Sequence, residues 1–189
     1  MLGNFFGDFV KGSELSHLDD EHQIGVRLHR KIDSYTDSHS DIKALRTLFP
    51  RSIRRMSGVV IDIYFDHLLC AHWDRYTGLP LDELLQHFYA EVEAYPYGMS
   101  ERYQQVKRGL LDYRWLSDYQ DIQSCERSFK HIEKRLGGRI LFAEQAMHIV
   151  QHSNRELNAS FLRFYPQLVA FADNMAKQLA APEADFLNR

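Results

Sequence analysis

Apolar residues recur at spacings of three and four along almost the whole chain, and runs of alternating β-branched residues are missing. A chain patterned this way buries its apolar stripes by packing helix on helix, so the expected fold is all-α. With 189 residues at 44% hydrophobic content there is enough apolar surface for a full core, and the expectation is a single-domain helical bundle over 1–189. Glycine and proline do not gather into a linker, and no internal repeat or low-complexity tract divides the chain.

The local signals place the helices. Asp19 and Asp20 open one that continues through Leu28 and Ile32 to about Thr36. Ser40 caps a short helix that stops at Pro50. The next runs from near Arg51 toward Trp73, with Ile53, Met56, Val60 and Ile63 facing inward. Pro80 suits the first turn of a helix carrying Leu84, Phe88 and Val92, which breaks around Pro96 and Gly98. Ser100 opens a further helix to about Leu111, and Trp115 to Leu136 holds one or two more, closed by Gly137 and Gly138. In the last stretch, with Phe161, Leu162 and Leu168, Pro166 predicts a kink or break.

Charge and composition exclude several roles. A net charge of −3 argues against a general nucleic-acid binder. No apolar run approaches the roughly 20 residues of a membrane span, and Met1 to Phe9 lack the form of a secretory signal. Cys70 and Cys125 lie far apart, which fits a reducing compartment and excludes a cysteine-based zinc site. A cytoplasmic protein with neither nucleic acid nor membrane as partner is expected.

Three clusters carry candidate chemistry. In Asp62-Ile63-Tyr64-Phe65-Asp66-His67, the helical period puts Val59, Ile63, Asp66, His67 and Cys70 on one broad inward stripe. Two ionisable groups then stand where the pattern expects apolar ones, which is costly unless a cation or donors compensate. Asp62 lies one turn before Asp66, so both carboxylates can point to one place. The bland alternative is an Asp bonded to a neighbouring helix beside a packed His; His72 and Trp73 also fit plain packing. His29, Asp33 and Asp37 recur every four residues, forming half of an oxygen-and-nitrogen metal site or a solvated face balanced by Arg30 and Lys31. Asp8, among aromatics on a short helix bounded by Gly3, Gly7 and Gly12, is a further ligand or an ordinary cap. Phosphate loops, dinucleotide fingerprints and nucleophile elbows are absent from the sequence.

The order GN-x-x-x-DFVKG (from Gly3), HRKID-x-x-TD (from His29), then D-x-x-x-DH-x-L-x-x-HW (from Asp62) resembles the bacterial acyl carrier protein phosphodiesterases. Agreement extends through Trp115-Leu116 and Tyr119 to Phe164-Tyr165-Pro166, so it covers almost the whole chain. The resemblance implies a helical fold distantly related to the HD-type metal phosphohydrolases. It also implies cleavage of the phosphodiester joining 4′-phosphopantetheine to a serine of holo acyl carrier protein, with manganese as cofactor. Family members usually carry a segment of the type N-[FY]-L-A-H-L-H-L before the GN motif. Here the chain starts at Met1-Leu2-Gly3-Asn4, so the expectation is either a start truncated relative to that pattern or a member that has lost the segment.

On that basis Asp8, His29, Asp66 and His67 are the expected ligands of Mn²⁺, with Fe²⁺ or Zn²⁺ as alternatives. Asp66, His67, Asp33 and Asp62 are the expected catalytic groups, and Asp37 a further ligand or an acceptor behind one. An acidic carrier protein needs a basic dock. Arg51, Arg54 and Arg55, at helical spacing, lead the candidates, before Lys130, Lys134 and Arg135, and then Lys107 and Arg108. Two other readings stand beside this one: an HD-like phosphohydrolase of nucleotides or other small phosphodiesters, and a non-catalytic helical module that binds carrier protein.

Overall fold

A computed structural model describes residues 1–96 and 100–181; Gly98, expected to help end a helix, lies outside the described residues. Those residues form nine α-helices joined by short 3₁₀ turns, with no strand among them. The helices are α1 Leu2–Phe6, α2 Asp20–Ser38, α3 Ser40–Leu45, α4 Ser57–Ala71, α5 Leu81–Ala94, α6 Glu101–Tyr113, α7 Gln123–Arg135, α8 Ala143–His152 and α9 Asn154–Ala180. The protein is a single all-α domain.

Local chemistry explains several boundaries. The Asp19 side chain accepts from the His22 amide at 3.0 Å and starts α2, and Ser100 accepts from the Tyr103 amide at 3.3 Å to start α6. Gly137 and Gly138, both at positive φ, close the chain after α7. Ser40 is the first residue of α3 rather than its cap; the His39 ring accepts from the Asp41 amide instead.

Two expected features differ. The long helix from Arg51 is split: Arg54–Met56 is a 3₁₀ turn and α4 begins only at Ser57, although Ile53, Met56, Val60 and Ile63 are all buried as the period predicts. Pro166 breaks nothing. Helix α9 runs through it, because the ring lies on the exposed face while Leu157, Phe161 and Phe164 hold the other face in the core. A proline there withholds one N–H from the Leu162 carbonyl, and exposure lets water take its place.

The buried side chains fall into two clusters. The larger, with Phe49, Tyr64, Phe65, Phe129, Phe142 and Phe161, is shared by α3, α4, α7, α8 and α9. The smaller, with Phe6, Phe88, Tyr89, Val92 and Tyr103, joins α1, α5 and α6. Helix α2 links them: Val26 is buried in the smaller cluster and Tyr35, about two and a half turns on, packs against the larger. No helix among the described residues is long and apolar enough to cross a membrane.

Candidate functional site

Glycines set the first half of the site. A Cβ on Gly25 would lie 2.5 Å from the Gly3 carbonyl carbon, so α1 and α2 touch backbone to backbone. That contact brings the turn after α1 onto α2. A Cβ on Gly7 would lie 2.2 Å from His29 Cδ2, so Gly7 is the floor on which the imidazole rests. His29 Nε2 is 3.2 Å from Asp33 Oδ2 and 3.9 Å from Asp8 Oδ1, while Nδ1 faces Asn4 Oδ1 at 3.4 Å. The turn after α1 and one face of α2 thereby unite Asp8, His29 and Asp33, as expected from sequence, although Asp8 stands just beyond the short helix.

The second half comes from α4. Val60, Ile61, Ile63, Tyr64, Phe65 and Leu68 face the core, while Asp62 and Asp66 lie where solvent reaches them. The expected inward stripe is therefore not buried at Asp66; it lines a recess. Solvent touches these carboxyls, yet enough protein surrounds them to disfavour their charge. Desolvation, helped by the neighbouring Asp62 charge, pushes Asp66 up to about 7. Desolvation, then Asp37 and Asp33, push Asp62 up to about 6, with Arg46 opposing them. Asp33 is also raised, by desolvation and by Asp8 and Asp37, against the pull of His29. These mutual effects join the two halves into one field running from Asp8 to Asp66.

His67 has its own partner. Its Nδ1 donates to the Tyr119 carbonyl at 2.8 Å, which fixes the tautomer and leaves Nε2 as the acceptor nitrogen. His72 bonds Asn158 at 2.8 Å and lies flat against Phe161, and Trp73 donates to the Leu79 carbonyl at 2.6 Å; both are packing residues. Burial pushes the Cys70 thiol up to about 11, which suits a small packing side chain rather than a nucleophile.

Sequence reasoning gave no role to three groups at this site. Arg46, on the 3₁₀ turn Arg46–Leu48 after α3, pairs with Asp37 at 2.5 Å. Tyr119 and Tyr165 both sense the Asp66 charge, and burial holds both hydroxyls protonated, Tyr119 up to about 12. The two tyrosines stand far from Asp66 in sequence, so no local spacing betrays them.

The donors are hard oxygens and imidazole nitrogens, the types that suit Mn²⁺. As placed, however, no three His, Cys, Asp or Glu side chains among the described residues are arranged to hold a metal ion. His29 clusters with Asp8 and Asp33, whereas His67 is anchored through Nδ1 to the Tyr119 carbonyl, outside that cluster.

The expected docking arginines are exposed, but not on one helix face: Arg51 sits in a turn and Arg54 and Arg55 on the following 3₁₀ turn, with Arg54 Nε donating to the Phe49 carbonyl. Lys107 is no surface cation. It is buried and its Nζ donates to the Glu93 and Tyr95 carbonyls at the end of α5. Lys130 is paired with Glu126 one turn away. Two surface cavities, of about 550 Å³ beside Pro50 and His148 and about 320 Å³ beside His22 and Tyr95, share no residue with the acidic recess. Shallow volume alone does not outrank three carboxyls with perturbed protonation.

The family model described as acyl carrier protein phosphodiesterase matches residues 1–168. The chain belongs to the acyl carrier protein phosphodiesterase family. It is 29% identical over 175 residues to the acyl carrier protein phosphodiesterase of Photorhabdus laumondii, covering 92% of this chain and 88% of that one. It is 31% identical over 180 residues to that of Klebsiella pneumoniae strain 342, covering 94% and 91%. For the Salmonella agona protein of the same name the figures are 25% over 177 residues, covering 93% and 91%. No solved structure matches the chain. In this member of the family, Asp8, the α2 line and the α4 pair all lie within the matched residues.

Proposed function

We propose that this protein is a phosphodiesterase that hydrolyses the ester between 4′-phosphopantetheine and a serine of holo acyl carrier protein, releasing the apo protein and 4′-phosphopantetheine. Family membership supports the substrate, and the recess supports the chemistry. The observation that carries the reading is the pair Asp62 and Asp66, open to solvent and held up to about 6 and about 7. Carboxyls poised in that range exchange protons at neutral pH, which is what general acid–base hydrolysis requires.

Water attacks phosphorus, the bond from phosphorus to the serine oxygen breaks, and the serine oxygen takes up a proton. In this proposal Asp62, which is not among the residues offered to the metal, takes the proton of the attacking water and returns one to the leaving serine oxygen, while Asp66 stays beside it as a metal-binding carboxylate. Both carboxyls lie on one face of α4, a turn apart. Tyr119 and Tyr165, kept protonated, offer hydroxyl donors at the Asp66 end. His67 and Asp33 are proposed as supporting groups, His67 through Nε2 and Asp33 through its bond to His29.

Mn²⁺, with Fe²⁺ or Zn²⁺ as alternatives, is proposed as cofactor on the charge of the recess, with Asp8, His29, Asp66 and His67 as the residues offered for its binding. Arg51, Arg54 and Arg55 are proposed as the dock for the acidic carrier protein; their exposure and proximity in the chain support it.

The test is intact-mass measurement of holo acyl carrier protein incubated with metal-free protein, with and without Mn²⁺. Loss of the phosphopantetheine mass is expected with Mn²⁺, and Asp66→Ala should abolish it while the helical circular dichroism spectrum persists. Turnover near wild type in Asp66→Ala would remove Asp66 from the mechanism.

A further inference from the structure

Arg46 is the side chain of the recess that the catalytic reading leaves without a task. Its Nη2 pairs with Asp37 Oδ1 at 2.5 Å, and its charge lowers the cost of ionising Asp62 on the facing helix. It therefore stands between the α2 acids and the α4 acids. Its Nε–H is buried and has no hydrogen-bond partner, an orphan donor on a charged group. The side chain as a whole is still 37% exposed, and the open edge of the guanidinium is the Nη side, since Nε is buried.

The surroundings suit an anion at that edge. The guanidinium lies over the first turn of α4, where a Cβ on Gly58 would be 3.7 Å from Nη2. That helix start carries no side-chain cap bond and no acidic residue in its first turn. A phosphodiester entering a recess bordered by Asp33, Asp37, Asp62 and Asp66 meets repulsion from each of them. A fixed guanidinium offers that anion forked N–H donors without proton exchange.

We propose that Arg46 binds the phosphoryl group of the substrate, with Asp37 holding the guanidinium in place and the phosphoryl oxygens accepting from its open Nη edge. The assignment rests on the phosphodiesterase reading for its substrate, and its recognition chemistry is that of any phosphate ester. Arg46 is thus a substrate-binding residue and Asp37 a positioning residue.

Isothermal titration with inorganic phosphate and with 4′-phosphopantetheine tests the assignment apart from turnover. Arg46→Gln should weaken both by tenfold or more. Arg46→Lys should recover only part, because a point charge lacks the fork. With holo acyl carrier protein, kcat/KM should fall on the order of a hundredfold in Arg46→Gln, the size of effect seen when one donor to a reacting oxyanion is lost. If Arg46 merely neutralises Asp37, the double variant Asp37→Asn/Arg46→Gln would regain phosphate binding and turnover, and that recovery overturns the proposal. Phosphate binding unchanged in Arg46→Gln, or no phosphate binding by the wild type, overturns it as well. Should Arg46→Gln fail to fold, Arg46→Lys, which keeps the charge beside Asp37, decides: full wild-type affinity would refute the fork. If wild-type protein leaves holo carrier protein intact yet binds phosphate through Arg46, the substrate reading falls and this assignment stands.

Discussion

Gly7→Ala offers a clean displacement of the His29 ring. The backbone at Gly7 is right-handed helical, with φ −52° and ψ −33°, so alanine adopts it without strain. The consequence is purely steric. The new Cβ would lie 2.2 Å from both Cδ2 and Cγ of His29 and 2.6 Å from its Cβ, where carbon atoms rest at about 3.5 Å or more, so the ring must retreat by about 1.3 Å and the turn after α1 must shift from α2 by about 0.9 Å. His29 Nε2 now stands 3.2 Å from Asp33 and 3.9 Å from Asp8, and a retreat of that size disrupts both contacts. Misplacing a reacting or orienting group by about 1 Å costs on the order of a hundredfold in rate. Crowding a packed site costs about 1–3 kcal/mol, which for a domain of this size lowers the melting temperature by roughly 3–10 °C and leaves it folded at 25 °C. The assay is carrier-protein turnover by intact mass at 25 °C beside a thermal melt. A variant that melts a few degrees lower and still turns over at the wild-type rate would refute a working role for the His29 position.

Three further outcomes follow from the geometry. The Asp62 and Asp66 carboxyls are raised on folding, so the folded state holds protons that the unfolded chain releases; their stabilising contribution is complete below about pH 4 and is lost as pH rises through 6 and 7. Urea midpoints should therefore fall less between pH 5 and pH 8 in Asp66→Asn than in the wild type, and parallel curves would contradict the raised carboxyl. Replacing Arg51, Arg54 and Arg55 together by glutamate should raise KM for holo acyl carrier protein strongly and remove its salt dependence, whereas an unchanged KM moves the dock elsewhere. Pro166→Ala, at an exposed position inside α9, should stabilise the fold by about 1–3 kcal/mol, and a lower melting temperature would show that the proline is needed.

Legibility in the sequence tracked the range of the forces involved. Caps and periods act over a few residues, so α2, α5 and α6 were readable from Asp19, Pro80 and Ser100. Helix α8 was not, because its start is capped from another helix: Glu133 Oε1, on α7, accepts from the Phe142 and Ala143 amides. The α4 acids were legible as polar groups on a patterned stripe, but the period alone could not tell a buried ligand from a carboxyl facing a recess. Only the surrounding chain decides that. Arg46 gave no local sign, since its partners are Asp37 before it and the α4 acids after it.

The location of the recess follows from the two cores. Helix α2 enters the smaller cluster at Val26 and reaches the larger at Tyr35, so the turns between are not claimed by either. His29 and Asp33 lie in that span, and Asp37 just beyond it. Helix α4 belongs wholly to the larger core, with Asp62 and Asp66 on the face that core leaves open. Carboxyls in these places avoid full burial, whose cost would be several kcal/mol each, yet remain sheltered enough for their protonation to shift. A single merged core would have forced these positions to be apolar. The seam between two cores is what lets a helical domain of this size keep a line of acids beside Arg46, with the water that hydrolysis consumes within reach.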